Sequence, residues 1–301
     1  MRDEITRNTD NLNYAKKKLT ICRRGTSVDL NHLISNAQHM PNIPKVVQEL
    51  IESFGNEHVN SNEIARKLNK DQAMTAKVLR MANSAKYGGH RKIGSVNDAV
   101  VLLGFNALRT MVLASGLTSA FPTPDGFDIK EFWIKSFSIA NISKWISKHV
   151  PDTDPEVAFT CGMIHDIGGL LTYILVNEEA QKIGRVVAKG ANRIEMEDSR
   201  LGFNFTEAGA ELAHRWKFPE EIVDGIKHQL SPQPEGGDYK VLAGIVYIAK
   251  YLYENSEAND ENLLANCISE RGKALNMDVV AAIDHLDELK TMDSDIEELL
   301  E

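Results

Sequence analysis

Apolar and polar residues follow a helical period along almost the whole chain. Apolar positions recur every three or four residues, as at Met74, Val78, Met81 and Ala82, so that each such segment has one apolar face. The sequence contains no alternating run of β-branched residues bounded by Asn-Gly or Asp-Gly turns, which would indicate strands. The pattern therefore predicts an all-α fold.

Capping signals and apolar periodicity together predict where the helices lie. Four capping side chains precede an acidic residue by three positions and can satisfy free amide groups at a helix start: Asn60 with Glu63, Ser95 with Asp98, Thr153 with Glu156, and Asn204 with Glu207. The predicted helices cover residues 30–39, 44–54, 61–69, 72–84, 95–104, 105–120, 128–149, 155–176, 178–190, 204–216, 219–229, 239–254 and 276–290.

A proline- and glycine-rich break, FPTPDG at residues 121–126, is the strongest candidate for a boundary inside the chain. We predict a basic extension at residues 1–28, an N-terminal helical subdomain at 29–122, a second helical subdomain at 123–290 and an acidic tail at 291–301. The extension carries five basic residues between positions 16 and 24 and is expected to be a solvated segment.

Composition narrows the possible classes of protein. The net charge is −9 and is unevenly distributed along the chain. Residues 1–125 hold 17 basic and 11 acidic residues, whereas residues 126–301 hold 17 basic and 32 acidic residues. The three cysteines, Cys22, Cys161 and Cys267, are too widely spaced for a metal knuckle or a redox pair, which indicates a reducing cytoplasm. The longest apolar region, residues 100–117, is interrupted by Asn106 and Arg109. We therefore expect no membrane span and no export signal.

The segment GMIHDIGG at residues 162–169 is the main candidate for a functional site. We expect it on one continuous helix, with His165 and Asp166 beside its apolar stripe and with Gly162 and Gly169 leaving room for another helix or an ion. A buried carboxylate is costly unless a cation or several donors face it. The residues alone leave two interpretations open, a metal-binding pair and a hydrogen-bonded core pair.

A second candidate is the segment from Asn60 to Ser84, which resembles a helix-turn-helix superficially. Its second helix bears Lys77 and Arg80, which could contact nucleic acid. The apolar stripe along the same helix favours a helical hairpin packed in a larger bundle. We therefore expect no nucleic-acid partner.

Five motifs occur in the order found in the HDOD family, the HD-related output domains of bacterial signalling proteins. They are MPNIP at residues 40–44, DQAMTAKVLRMANSAKY at 71–87, the apolar segment 93–104, GMIHDIGG at 162–169 and WKFPEEI at 216–222. The chain resembles this family from about residue 29 to residue 290. The resemblance implies kinship with the HD superfamily of metal-dependent phosphohydrolases.

The resemblance also implies a metal site, from which this chain departs. Superfamily members bind divalent metal through a His, an adjacent His-Asp pair and a distal Asp. Here Lys135 stands at the position of the first His, Lys250 stands at the position of the distal Asp, and Phe205 replaces a further His of two-metal sites. Only His165 and Asp166 remain, with His228 nearby as a possible additional group.

An ammonium group has no free lone pair near neutral pH and repels a divalent cation. We therefore predict no bound metal, no cofactor and no catalytic residue, and we expect Lys135 or Lys250 to form an ion pair with Asp166. The predicted function is a non-catalytic signal-transduction or regulatory module that acts through protein contacts.

The alternatives are a metal-dependent phosphohydrolase and a nucleic-acid-binding regulator. The sequence leaves open the signalling partner, the oligomeric state and whether a small ligand occupies the cleft between the subdomains.

Overall fold

A computed structural model describes residues 30, 33–34, 41–52, 61–83, 92–256 and 260–291. The predictions for the basic extension, for Asn60, for most of the helix at 30–39 and for the acidic tail beyond residue 291 lie outside these residues. Within them, every regular element is helical and no strand occurs, which confirms the predicted all-α class.

The helices fall on the two sides of the break at residues 121–126. Before it lie α1 (Lys45–Glu52), α2 (Ser61–Leu68), α3 (Gln72–Ala82), α4 (Val96–Leu103) and α5 (Phe105–Ala120). After it lie α6 (Ile129–Ser147), α7 (Pro155–Met163), α8 (Ile167–Leu175), α9 (Asn177–Val187), α10 (Arg193–Leu201), α11 (Phe205–Arg215), α12 (Glu220–Lys227), α13 (Val241–Asn255), α14 (Glu261–Arg271) and α15 (Val279–Asp284). Short 3-10 helices cover Gly272–Leu275 and Leu286–Thr291.

One hydrophobic core runs through both halves. It extends from α1 and α5 to α6, α7 and α13 without interruption. Phe121, in the break itself, lies edge-on to Trp133 at 6.2 Å and to Trp216 at 5.7 Å between ring centroids. The chain therefore turns at the predicted boundary, and the residue at the turn packs into the shared core.

A buried acid joins three helices at the junction of the two halves. Glu156 on α7 accepts hydrogen bonds from Thr110 on α5 and from Lys144 on α6. Thr153 was expected to cap α7, but Asp154 does so by accepting from the Glu156 amide at 2.8 Å. Proline at position 155 follows this cap, where its missing N–H costs nothing.

The predicted single helix over residues 155–176 is wrong. The structure divides it into α7 and α8, which are separated by a turn at residues 164–166. By length and composition the combined stretch Pro155–Leu175 could cross a membrane, yet most of it is buried inside the described fold, as expected of core helices. His165 and Asp166 consequently lie in a buried turn and not on a helix face.

The helix-turn-helix-like segment forms a packed hairpin in the part that is described. Helix α3 buries Met74, Val78, Met81 and Ala82 and packs against α4 and α5. Asp71 caps this helix by accepting from the Met74 amide at 3.0 Å. The apolar face of α3 is therefore buried against the bundle, as expected of a packed helical hairpin.

Candidate functional site

The turn between α7 and α8 is built by the His-Asp pair itself. Helix α7 ends at Met163, and the Nδ1 atom of His165 donates to the Gly162 carbonyl at 2.7 Å. The imidazole thereby adds a short hydrogen bond to a carbonyl at the helix end, which also accepts a long one from the His165 amide at 3.4 Å. His165 is 2% exposed, so the pair sits inside the protein, with the Asp166 carboxylate at its outer edge.

Arg193 is the cation that faces Asp166. Its Nη1 and Nη2 atoms donate to the two carboxylate oxygens, each at 2.9 Å, and its Nε atom donates to Glu197 at 2.7 Å. The guanidinium carbon lies 4.0 Å from the centroid of the Phe205 ring. This bidentate, stacked arrangement uses the planar fork that distinguishes arginine from lysine.

The expected ion pair with Lys135 or Lys250 is therefore corrected. The Nζ atom of Lys250 donates to Gln229 at 3.0 Å and lies 5.4 Å from the Phe205 ring centroid. The Nζ atom of Lys135 lies 5.8 Å from the ring centroid of Tyr253. Neither lysine forms an ion pair with Asp166, whereas the planar guanidinium of Arg193 donates one N–H to each carboxylate oxygen.

The predicted helices leave out residues 191–203, where the structure has helix α10 with Arg193 at its start. The overlooked signal is Asn192 followed three residues later by Glu195, and Asn192 indeed accepts from the Glu195 amide at 3.2 Å. Arg193 and Glu197 are spaced four residues apart, as in a helical ion pair. These spacings would have predicted the helix, although not the partner of its arginine.

Glycine makes room for the ion pair. A Cβ atom at Gly169 would lie 2.3 Å from the Arg193 Nη2 atom and 2.5 Å from an Asp166 oxygen. A Cβ atom at Gly162 would lie 2.6 Å from Ser143 and 2.9 Å from the Ala140 backbone on α6. The prediction that these glycines admit close neighbours is confirmed: the neighbours are a guanidinium and a helix.

Gln229 supplies the polar contacts inside the site. Its side chain is fully buried and donates to the His165 carbonyl at 2.6 Å and to the Ile226 carbonyl at 2.9 Å, while its oxygen accepts from Lys250. The preceding residue, His228, lies 3.7 Å from Asp224 and takes no part in these contacts. Gln229, and not the expected His228, is therefore the residue of this segment that contacts the His-Asp turn.

Burial and charge set the protonation states. Burial lowers the pKa of His165 to about 3, and nearby Lys250 acts in the same direction. Burial would raise the pKa of Asp166, but Arg193 holds it below its ordinary value. Burial lowers the pKa of Lys250 to about 8, although Asp166 opposes this shift. At neutral pH the site thus holds a neutral imidazole, a carboxylate and an arginine.

These residues do not fit the metal site that the superfamily implies. Both Asp166 oxygens are hydrogen-bonded to Arg193, and His165 offers only its Nε2 atom because Nδ1 is bonded to a carbonyl. Among the residues that the structure describes, no three His, Cys, Asp or Glu side chains lie close enough to share an ion. A catalytic metal needs about three protein ligands and an open position, which this donor set does not provide.

A cavity of about 220 Å³ adjoins the ion pair. Asp166, Arg193 and Glu197 form one side of it, and aromatic rings form the other, with Phe127 and Tyr173 at 4.7 Å between centroids. The Asp166 carboxylate and the Arg193 guanidinium are hydrogen-bonded to each other at the edge of this cavity. Neither is therefore an unpaired acid or base that could act on a molecule in the cavity.

A match to a protein-family model shows which family the chain belongs to. The model of the HDOD domain family matches residues 40–232, almost two thirds of the sequence. The chain belongs to the HDOD domain family. This confirms the resemblance found in the motifs. A relative from Treponema pallidum (strain Nichols), named only as an uncharacterized protein, is 23% identical over 214 residues, which are 70% of this chain and only 41% of that protein.

Solved structures share the fold. A Shewanella amazonensis SB2B protein provisionally named a phosphohydrolase is 32% identical, with a TM-score of 0.79 over 92% of this HDOD chain and 99% of that chain. An HDOD domain protein of unknown function from Geobacter sulfurreducens is 23% identical, with a TM-score of 0.77 over 95% and 99%. A Marinobacter aquaeolei VT8 protein provisionally named for signal transduction is 20% identical, with a TM-score of 0.71 over 95% and 65%.

Proposed function

We propose that this HDOD protein is a non-catalytic signal-transduction or regulatory module that acts through contacts with protein partners. The observation that carries the proposal is the pairing of both Asp166 oxygens with Arg193 at 2.9 Å. This carboxylate is the one oxygen ligand left from the metal site that the family resemblance implies. In this proposal the positive charge of Arg193 takes the place of a metal ion, and the ion pair has a structural role.

The first experiment tests the absence of metal chemistry. The full chain is incubated with Mn²⁺, Fe²⁺ or Zn²⁺, desalted, and analysed for bound metal and for hydrolysis of bis(p-nitrophenyl) phosphate. We expect less than about one tenth of an equivalent of metal and no turnover above buffer, because too few ligands are available.

Asp166→Asn is the matched control for this assay. It removes the last carboxylate ligand, so it leaves both readouts unchanged if the proposal is right. Stoichiometric metal together with turnover that Asp166→Asn abolishes would establish a phosphohydrolase and overturn the proposal.

Exposed apolar residues on α4 support the part of the proposal that concerns protein contacts. Val101 is 82% exposed and the adjacent Leu102 is 50% exposed, on a helix whose other face packs into the core. Burial of such neighbouring apolar side chains under a partner is favourable and stabilises the complex. Nucleic acid is a poorer candidate, since the chain carries a net charge of −9 and the apolar face of α3 is buried in the bundle.

The second experiment tests whether α4 contacts a protein partner. It compares a substitution at the exposed Val101 of α4 with one at an exposed valine elsewhere. The tagged full chain is used to isolate its partner from a lysate of the source organism, and the affinity of the purified partner is then measured. We expect Val101→Lys to weaken binding by about tenfold or more, since it places a charge in an apolar contact.

Val280→Lys is the control, because Val280 is similarly exposed, at 71%, on helix α15 in the other half of the chain. We expect it to retain the affinity of the unchanged protein. Equal affinities of all three proteins would show that α4 makes no contact with the partner and would contradict this assignment.

A further inference from the structure

A second and larger cavity, of about 370 Å³, lies at the junction of the two halves. It is formed by α3 and α5 on one side, by the break at residues 121–126, and by the first half of α6 on the other. Its volume falls in the range of small-molecule sites, which is about 300–1,000 Å³. It shares no lining residue with the cavity beside Asp166 and Arg193.

The charge of this lining is unlike that of the whole chain. It contains three basic residues, Lys77, Arg80 and Lys130, and no acidic residue, in a protein whose net charge is −9. All three are exposed and so lie at the outer part of the cavity. Lys77 already donates to Ser119 at 2.6 Å, whereas Arg80 forms no ion pair with any residue that the structure describes. The outer part therefore suits an anion.

The inner part is apolar but contains two unsatisfied polar groups. Phe121, Trp133 and Phe137 supply aromatic walls. Ser115, which is 4% exposed, and Trp133, which is 3% exposed, both line the cavity. Neither the Ser115 hydroxyl nor the Trp133 indole N–H has a hydrogen-bond partner in the described part of the chain. A buried polar group without a partner is costly, so each calls for a specific explanation.

We propose that this cavity binds a small aromatic phosphate, such as a nucleoside monophosphate. The phosphate lies between Arg80, Lys77 and Lys130, because guanidinium and ammonium groups are the usual phosphate donors in proteins. The ring lies against the aromatic walls. The indole N–H of Trp133 and the hydroxyl of Ser115 are closed off from the open space of the cavity, and a small shift of these two side chains on binding would bring them to the polar edge of the ring. Since the ligand touches both halves and the break between them, it would stabilise one arrangement of the two. This site is independent of the proposed non-catalytic role.

Titration calorimetry on the full chain tests the site with AMP as the probe. Adenosine, inorganic phosphate and phenyl phosphate separate the contributions of the ring and the phosphate. We expect AMP to bind one to one with a Kd no weaker than about 1 mM. Adenosine and inorganic phosphate, which each lack half of the ligand, are expected to bind about tenfold more weakly or worse.

Arg80→Gln is the decisive variant, and it should fold because Arg80 is exposed. We expect it to weaken AMP binding by about tenfold, since a charge-assisted hydrogen bond to phosphate is lost. Arg66→Gln, which changes an exposed arginine of α2 outside the cavity lining, is expected to leave binding unchanged. Trp133→Phe keeps the ring and removes the indole N–H, so it is expected to weaken AMP and to leave inorganic phosphate unaffected.

The outcomes decide the proposal in both directions. Binding of phenyl phosphate but not of AMP supports an aromatic phosphate with a smaller body. No binding of either compound overturns the proposal. Equal weakening of AMP by Arg80→Gln and Arg66→Gln also overturns it, because it would show attraction to the general basic surface.

Discussion

Arg193→Ala is expected to lower the free energy of unfolding by about 2–4 kcal/mol. Removing one partner of a buried ion pair costs about 3–5 kcal/mol, because it leaves an uncompensated charge. Here two acids, Asp166 and Glu197, lose the same cation. The exposure of the two paired side chains, 34% for Arg193 and 21% for Asp166, reduces the effect. Urea denaturation followed by circular dichroism measures the change.

Arg200→Ala is the matched control for this prediction. Arg200 lies on the same helix and pairs with Glu179 at 2.7 Å, but its side chain is 40% exposed. Exposed ion pairs contribute about 0–1 kcal/mol, so a small change is expected. If the two alanine variants had equal stability, the Asp166–Arg193 pair would be no more than a surface contact.

Gly168→Ala is expected to lower the free energy of unfolding by about 3 kcal/mol or more, the upper range for overpacking in a tight core. The added methyl carbon would lie 2.0 Å from the Phe205 carbonyl oxygen and 2.3 Å from the Gly209 amide nitrogen. Both contacts are with backbone, so no side-chain rotation can relieve them. Helices α8 and α11 would have to separate, which also moves the aromatic ring beneath Arg193. Thermal unfolding and urea denaturation give the measurement.

Gly184→Ala tests whether the loss comes from backbone crowding and not from any glycine replacement. Its methyl carbon would meet only the Tyr173 side chain, with the hydroxyl oxygen at 2.5 Å. The ring can shift away, and alanine favours the helix by about 1 kcal/mol over glycine. We expect a change within about 1 kcal/mol. A Gly168→Ala protein as stable as Gly184→Ala would show that α8 and α11 separate without cost.

Much of the fold was accessible from local signals. Ser95 and Asn204 cap helices as their spacing predicts, with Asn204 and Glu207 forming a reciprocal capping box. The stripe on α3 is buried as its period predicts. These features depend on neighbours three or four residues apart, which the sequence displays directly.

The candidate site was only partly predictable, for a physical reason. The sequence indicates His165 and Asp166, but the turn that contains them is stabilised by the His165 side chain donating to the backbone carbonyl of Gly162, an interaction that helical periodicity does not reveal. The partner of Asp166 lies 27 residues further along the chain. Arg193 and Lys250 both lie near this carboxylate, and which of them pairs with it depends on the placement of α10 and on the space at Gly169.

The Arg193 bridge also bears on how such a protein can change over evolutionary time. Freeing the Asp166 carboxylate for a metal would break its hydrogen bonds with Arg193, and replacing Lys250 would break its hydrogen bond with Gln229, so both changes are expected to lower stability. A metal ligand set at this position would therefore require several substitutions together, whereas drift proceeds by single steps. Substitutions among the contacts of Arg193 are expected to be costlier than those on the outer surface, so viable sequence changes should accumulate outside this group.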